Sequence, residues 1–166
     1  MWYNWMRFDS PTDFGYLRQN IAIRLRDDLG RYGQFDLRYI TRNLQAMLLA
    51  TPLWSAAKSR LTPSLEGMSI LLTTPALIYI VRARCRSWLP IGAWTALALL
   101  VVPVITYYNT GYAQFGYRFS LDFMVPMVVL LAVGAGQRVS WLMRALIMIG
   151  VLVNGWGVEW YPNPVV

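Results

Sequence analysis

The stretch SWLPIGAWTALALLVVPVITYYNTGYAQFGY, residues 87–117, contains no charged side chain. Its portion Trp88–Tyr108 has the length an α-helix needs to cross a hydrocarbon core of about 30 Å at a rise of about 1.5 Å per residue. Trp88 at one end and Tyr107 and Tyr108 at the other supply the aromatic side chains that settle at the two water interfaces. The stretch therefore predicts a transmembrane helix and sets the class of the chain.

Composition agrees with that reading. Of the 166 residues, 57% are hydrophobic and 14% are charged, and the mean hydropathy is +0.39. Soluble domains carry about 25% charged residues. The charge is also uneven. Residues 1–66 hold nine Lys or Arg and six Asp or Glu, and residues 67–166 hold six and two. The net charge of +7 does not point to nucleic acid, because the basic residues alternate with acids or flank apolar runs. One cysteine, Cys85, and no histidine exclude zinc ligation, paired-cysteine redox chemistry and histidine-based catalysis within this chain. The pattern implies no metal and no cofactor. Nor do the first residues read as a signal peptide, since charges recur through residue 42.

Three further apolar runs complete the count. Gly67–Val81, extended back to Thr62, gives a span over about 62–81, closed by Arg82, Arg84 and Arg86. The others are expected at about 119–136 and 139–158, beside 88–108. Pro75, Pro103 and Pro126 fall inside these runs, which membrane helices tolerate when neighbours satisfy the freed carbonyls. Residues 1–61 read as an extracytoplasmic helical region and 159–166 as a tail. The expected fold is therefore all-α: a polytopic membrane protein of about four transmembrane helices, preceded by that outer region. The arginines at 82, 84, 86, 138 and 144 make the short-loop side cytoplasmic, against Lys58, Arg60 and Arg118 opposite. A basic outer region without a signal of its own implies upstream transmembrane helices, so this chain is expected to be the C-terminal piece of a longer protein.

The outer region has its own punctuation. Ser10-Pro11-Thr12-Asp13 resembles a helix start. Leu17–Leu29 is weakly periodic, and YGQFD (32–36) is a turn. Asp36 then caps a clearer amphipathic helix over 36–50, whose stripe is Leu37, Ile40, Leu44, Met47 and Leu48. That stripe suits either the membrane interface or packing on the other helices.

Four motifs carry a family resemblance. YNWMRFDSPTDFGY (3–16), FDLRYITRNLQAMLLATP (35–52), PSLEGMSILLTTPALI (63–78) and QFGYRFSLDFMVP (114–126) resemble, in this order, segments of bacterial polytopic GT-C-type glycosyltransferases. These are similar to the dolichyl-phosphate-mannose mannosyltransferases and the lipopolysaccharide sugar transferases. The resemblance implies an integral protein of the bacterial inner membrane that takes a sugar from a polyprenyl-phosphate donor at the outer face. The family's catalytic carboxylate sits in a loop that would precede Met1, so no catalytic residue is carried over. The competing class is a non-enzymatic membrane scaffold or accessory subunit.

A lipid-linked sugar phosphate needs a cation for its phosphate, and arginine donates two parallel hydrogen bonds to such a group. Arg7 and Arg118 are the candidates. Asp9, Asp13 and Asp122 are candidates for binding sugar hydroxyls or orienting those arginines. Equally, Arg118 and Asp122 suit a structural ion pair at i, i+4, and Arg7, Asp9 and Asp13 suit solvated loop charges. The expected partners are the bilayer, the lipid-linked donor and the upstream helices.

Overall fold

The computed structural model describes residues 1–12, 15, 21–56, 59–64 and 66–160, without the side chain of Arg24. Asp13, part of the expected start at Ser10, lies outside them, as does most of the 17–21 portion of the second expected helix. The chain is mostly helical. In order come α1 (Trp2–Phe8), α2 (Ile23–Tyr32), α3 (Tyr39–Leu49), a hairpin of β1 (Leu53–Ser55) and β2 (Arg60–Thr62), α4 (Ile70–Thr73), a 3₁₀ segment (Pro75–Arg82), α5 (Trp88–Thr106), a 3₁₀ turn (Arg118–Phe123), α6 (Met124–Ala135) and α7 (Trp141–Trp160). The hairpin pairs Trp54 with Leu61 in antiparallel register, and it runs across the expected boundary at residue 61.

Three stretches are long and apolar enough to cross a membrane: Trp88–Thr106, Arg118–Ala135 and Trp141–Trp160. Residues 62–81, expected as a further span, do not form one continuous helix. The cause is Pro75. It has no N–H to donate, and its ring drives the preceding residue out of the helical region. Thr74 accordingly lies at φ −140°, ψ 71°. The chain restarts at Pro75 as a 3₁₀ helix. Pro126 lies inside the Arg118–Ala135 span, as expected. It is the third residue of α6, in the first turn, where the missing N–H would have had no partner. Pro103 alone of the three sits in a helix interior.

The broken segment is nevertheless deep in the bundle. Pro75, Ala76, Leu77 and Tyr79 are buried. At its start Met68 pairs with the strand-like stretch before α6, through Met68 N–H to Phe115 O (2.9 Å) and Tyr117 N–H to Met68 O (3.1 Å). Toward its end the Tyr79 carbonyl abuts Gly134, and the Tyr79 hydroxyl meets that of Ser140. The segment thus runs alongside α6 for most of that helix's length. A 3₁₀ helix advances about 2.0 Å per residue, so it covers this depth with few residues. On its other side α7 approaches at Gly150, and Asn154 Nδ2 donates to Thr73 O at 2.7 Å, supplying a donor to a carbonyl at the break. The core gathers Leu77, Leu97, Tyr117, Phe123, Met127 and Leu130 from these elements.

α3 turns inward only part of its apolar stripe: Met47 is buried and Ile40 and Leu44 are half-buried. Tyr39, Asn43, Ala46 and Met47 are buried, at helical spacing. Leu44 is half-buried against the core, whereas Leu37 is 76% exposed and Leu48 lies at the surface. The reason is hydrogen bonding. Asn43 donates to Ile105 O (2.8 Å) and Tyr107 O (2.7 Å) at the end of α5, and this rotates α3 toward its polar residues. The Asp36 carboxylate accepts from Arg38 N–H at 2.8 Å within the turn that precedes the helix. α3 starts at Tyr39 with Arg38 at its N-cap and no capping side chain, so Asp36 is not the expected cap of α3. Extended backbone at Ala50 ends it before Pro52.

Candidate functional site

The end of the bundle that receives α3 is built from the residues after α5. The backbone of residues 34–36 pairs with that of 106–108, through Asp36 N–H to Thr106 O and Tyr108 N–H to Gln34 O, both 2.9 Å. This seats Phe35 against Tyr107, with ring centroids 5.5 Å apart. Tyr107 in turn meets Phe119 edge-on at 5.9 Å. Below these rings lie Leu100, Pro103 and Val104 of α5, which share one helix face. Together with Asp122 they line an open groove of ≈ 390 Å³.

The 3₁₀ turn decides which side chains reach that groove. Side chains three residues apart eclipse one another in a 3₁₀ helix. Phe119 and Asp122 therefore point to the same side. Arg118 is four residues from Asp122 and falls elsewhere around the axis. The ion pair expected of these two residues requires α-helical spacing, and the structure does not form it. Arg118 is exposed, with its guanidinium 5.4 Å from the centroid of the Phe119 ring. Its backbone N–H donates to Gln114 Oε1 at 3.3 Å. Gln114 is buried and spends its amide on Thr110 O and Glu66 O, so it ties the loop before Arg118 to the end of the β-hairpin region.

Beside this groove lies a polar cluster that the sequence did not disclose. Arg42 donates to the Asp28 carboxylate at 2.8 Å and to Tyr108 O. Tyr39 OH lies 3.0 Å from both Asp28 O and Gly33 O. Burial, with the Asp28 carboxylate adding to it, pushes the Tyr39 phenol above its ordinary value. The cluster holds α2 and α3 onto the end of α5. Arg42 looked like a solvent-facing residue because it lies off the apolar stripe, and nothing in a single sequence marks a partner so far along the chain.

α1 stands apart from these groups. None of its residues is buried. Arg7 donates to Tyr3 OH at 3.0 Å and lies over the Tyr3 and Phe8 rings, so its guanidinium is engaged within its own helix. Asp9 ends α1 in the left-handed region at φ 56°. Asp13 is outside the described residues. Of the four described candidates, Arg118 and Asp122 lie on the 3₁₀ turn and Arg7 and Asp9 at the end of α1. Among the described residues, no cluster of three His, Cys, Asp or Glu could hold a metal ion.

Tyr117, also at this end, is 2% exposed and its hydroxyl has no partner among the described residues. Burial pushes its phenol up to about 12. The fold therefore holds this proton more tightly than the unfolded chain does. The associated stability is complete below pH ~10 and is lost as pH rises toward 12. Tyr117→Phe should leave the melting temperature unchanged or raised at neutral pH, because it removes an unpaired buried hydroxyl, and should make the alkaline fall shallower. A steeper alkaline fall in the variant would contradict this account.

No family model, curated protein or solved structure matches this chain.

Proposed function

We propose that this chain is the C-terminal portion of an integral membrane glycosyltransferase that uses a polyprenyl-phosphate sugar at the outer membrane face. The observation that carries the reading is the groove at Asp122. Its lower wall, Leu100, Pro103 and Val104, is hydrocarbon on a membrane-length helix, and its rim is aromatic and acidic. Such a groove suits a ligand with an apolar tail and a hydroxylated, charged head. Asp122 accepts hydrogen bonds from sugar hydroxyls, and Arg118, one turn edge away, is exposed to receive phosphate. The motif resemblance supplies the reaction class. The broken segment 68–83 serves in this reading as the fourth pass, and α3 closes the outer end instead of floating in the interface plane. An accessory-subunit reading rests on α1, where Trp2, Trp5 and Met6 are exposed as a docking surface.

The test uses the full-length protein, with sugar transfer and thermal stability measured on the same preparations. Asp122→Asn and Arg118→Lys should each lower transfer about tenfold, the equivalent of ~1.4 kcal/mol, with the melting temperature unchanged. A lysine cannot reproduce the two-pronged donor. Wild-type transfer in both variants would overturn the reading and favour the accessory subunit.

Orientation is tested separately. With Cys85 replaced, cysteine at Tyr112 should react with a membrane-impermeant thiol reagent in intact cells and cysteine at Ser87 should not, because arginines crowd the Ser87 end. Both positions are exposed. The opposite labelling would invert the protein.

A further inference from the structure

We infer that the groove between the β-hairpin and the last turn of α7 is a binding site for the headgroup of a zwitterionic phospholipid, one carrying a phosphate and an ammonium group. The groove measures ≈ 470 Å³ and is lined by Trp54, Arg60, Leu61, Trp156, Glu159 and Trp160. This volume lies within the roughly 300–1,000 Å³ of small-ligand sites. It is separate from the Asp122 groove and shares no residue with it.

Three observations specify the ligand. First, the groove presents one cation and one anion that are not spent on each other. No ion pair or hydrogen bond joins Arg60 to Glu159, and both are exposed. A ligand with both charges satisfies both; an anionic lipid satisfies only Arg60. Second, no cation competes for Glu159 from its own helix: Glu159 lies in the last described turn of α7, which holds no basic residue. Third, three indoles surround the charges, and aromatic faces are good receivers of alkylammonium groups. Arg60 complements the phosphate by its paired donors.

The wall is built, not incidental. Phe115 packs edge-on to Trp156 (5.5 Å) and tilted against Trp160 (6.2 Å). It fits there because Gly157 has no side chain: a Cβ at that position would lie 2.7 Å from the Phe115 ring. Trp160 is 4% exposed, and its indole N–H has no acceptor among the described residues. α7 is long and apolar enough to span a membrane, so its last turn lies at the depth of lipid headgroups.

The experiment is native mass spectrometry of the full chain from mixed micelles holding equal amounts of phosphatidylethanolamine and phosphatidylglycerol, with melting temperatures read in each lipid alone. The wild-type protein should retain phosphatidylethanolamine about threefold over phosphatidylglycerol, the factor an exposed ion pair between Glu159 and the ammonium provides. Glu159→Gln should bring that ratio near one while leaving phosphatidylglycerol retention unchanged. Arg60→Gln should lower retention of both lipids. Neither residue is buried, so both variants should fold, and their melting temperatures without lipid check this. Equal retention of the two lipids by the wild type, or an unchanged ratio in Glu159→Gln, would overturn the assignment. Displacement of bound lipid by a neutral sugar such as glucose, at concentrations where O-phosphoethanolamine has no effect, would also overturn it and make the groove a carbohydrate site.

Discussion

Asn43→Asp should unfold the outer end of the protein, at a loss of roughly 4–5 kcal/mol. Asn43 is fully buried, and its amide faces the carbonyls of Ile105 and Tyr107 at 2.8 and 2.7 Å. An ionised carboxylate in its place meets two acceptors and no donor. A protonated one has a single hydrogen for two carbonyls and must raise its pKa to carry it. Asn43→Ala should cost less, about 1–3 kcal/mol, because it removes the donors without adding charge. Both losses should show as a lower melting temperature in detergent and as protease cleavage within residues 30–50, since Asn43 is the central bolt between α3 and α5. Wild-type melting and protease resistance in Asn43→Asp would mean that α3 does not sit on α5.

Gly134→Leu should separate α6 from the broken segment. A Cβ added at Gly134 would lie 2.1 Å from the carbonyl oxygen of Tyr79 and 3.0 Å from its carbon. Those are backbone atoms and cannot swing aside as the tip of a long side chain does. Gly134→Ala alone should cost about 1–3 kcal/mol through overpacking, and leucine more. The control is Gly155→Ala in α7, where an added Cβ meets nothing within 4 Å. Alanine is the better helix former by about 1 kcal/mol in soluble hosts, so this control should be neutral or slightly stabilising. Equal melting temperatures for Gly134→Ala and Gly155→Ala would rule out the close crossing. Small residues that let backbones touch are a general means of joining helices in lipid, and here one of the two partners is not an α-helix.

The parts of this fold that a sequence reading recovers are those written in composition. Trp88–Thr106, Arg118–Ala135 and Trp141–Trp160 are legible because long apolar runs have few alternatives in a chain of this charge content. The segment after Thr62 is apolar as well, but hydropathy does not distinguish a straight helix from one broken at Thr74. Pro75 was the visible sign, and its effect depends on the neighbours that accept the break: Asn154, Gly150 and Gly134. The Arg118–Asp122 pair failed for a related reason, because four-residue spacing carries meaning only in an α-helix and residues 118–123 form a 3₁₀ turn. The Asp122 groove was half legible. Asp122 itself stood out, while Phe35 and Tyr107 became its walls only through backbone pairing across the chain. Arg42 and Asn43 were hidden because stripe analysis weighs apolar residues, and here hydrogen bonds chose the buried face.

The joint between α3 and the end of α5 has a consequence for biogenesis. Arg42 and Asn43 bind carbonyls that lie 62 to 66 residues later in the chain. At about 5–20 residues per second of synthesis, those acceptors emerge some 3–13 s after their donors. In that interval α3, eleven residues long, has only its contacts to α2 through Tyr39 and Arg42, and it is shorter than the ~12–15 residues at which even good helix formers become marginal in water. The amide of Asn43 therefore waits for its carbonyls while α5 is being threaded into the bilayer. The outer cap closes only after α5 has been made, and its closure reports that α5 has arrived with its far end on the same side as α3.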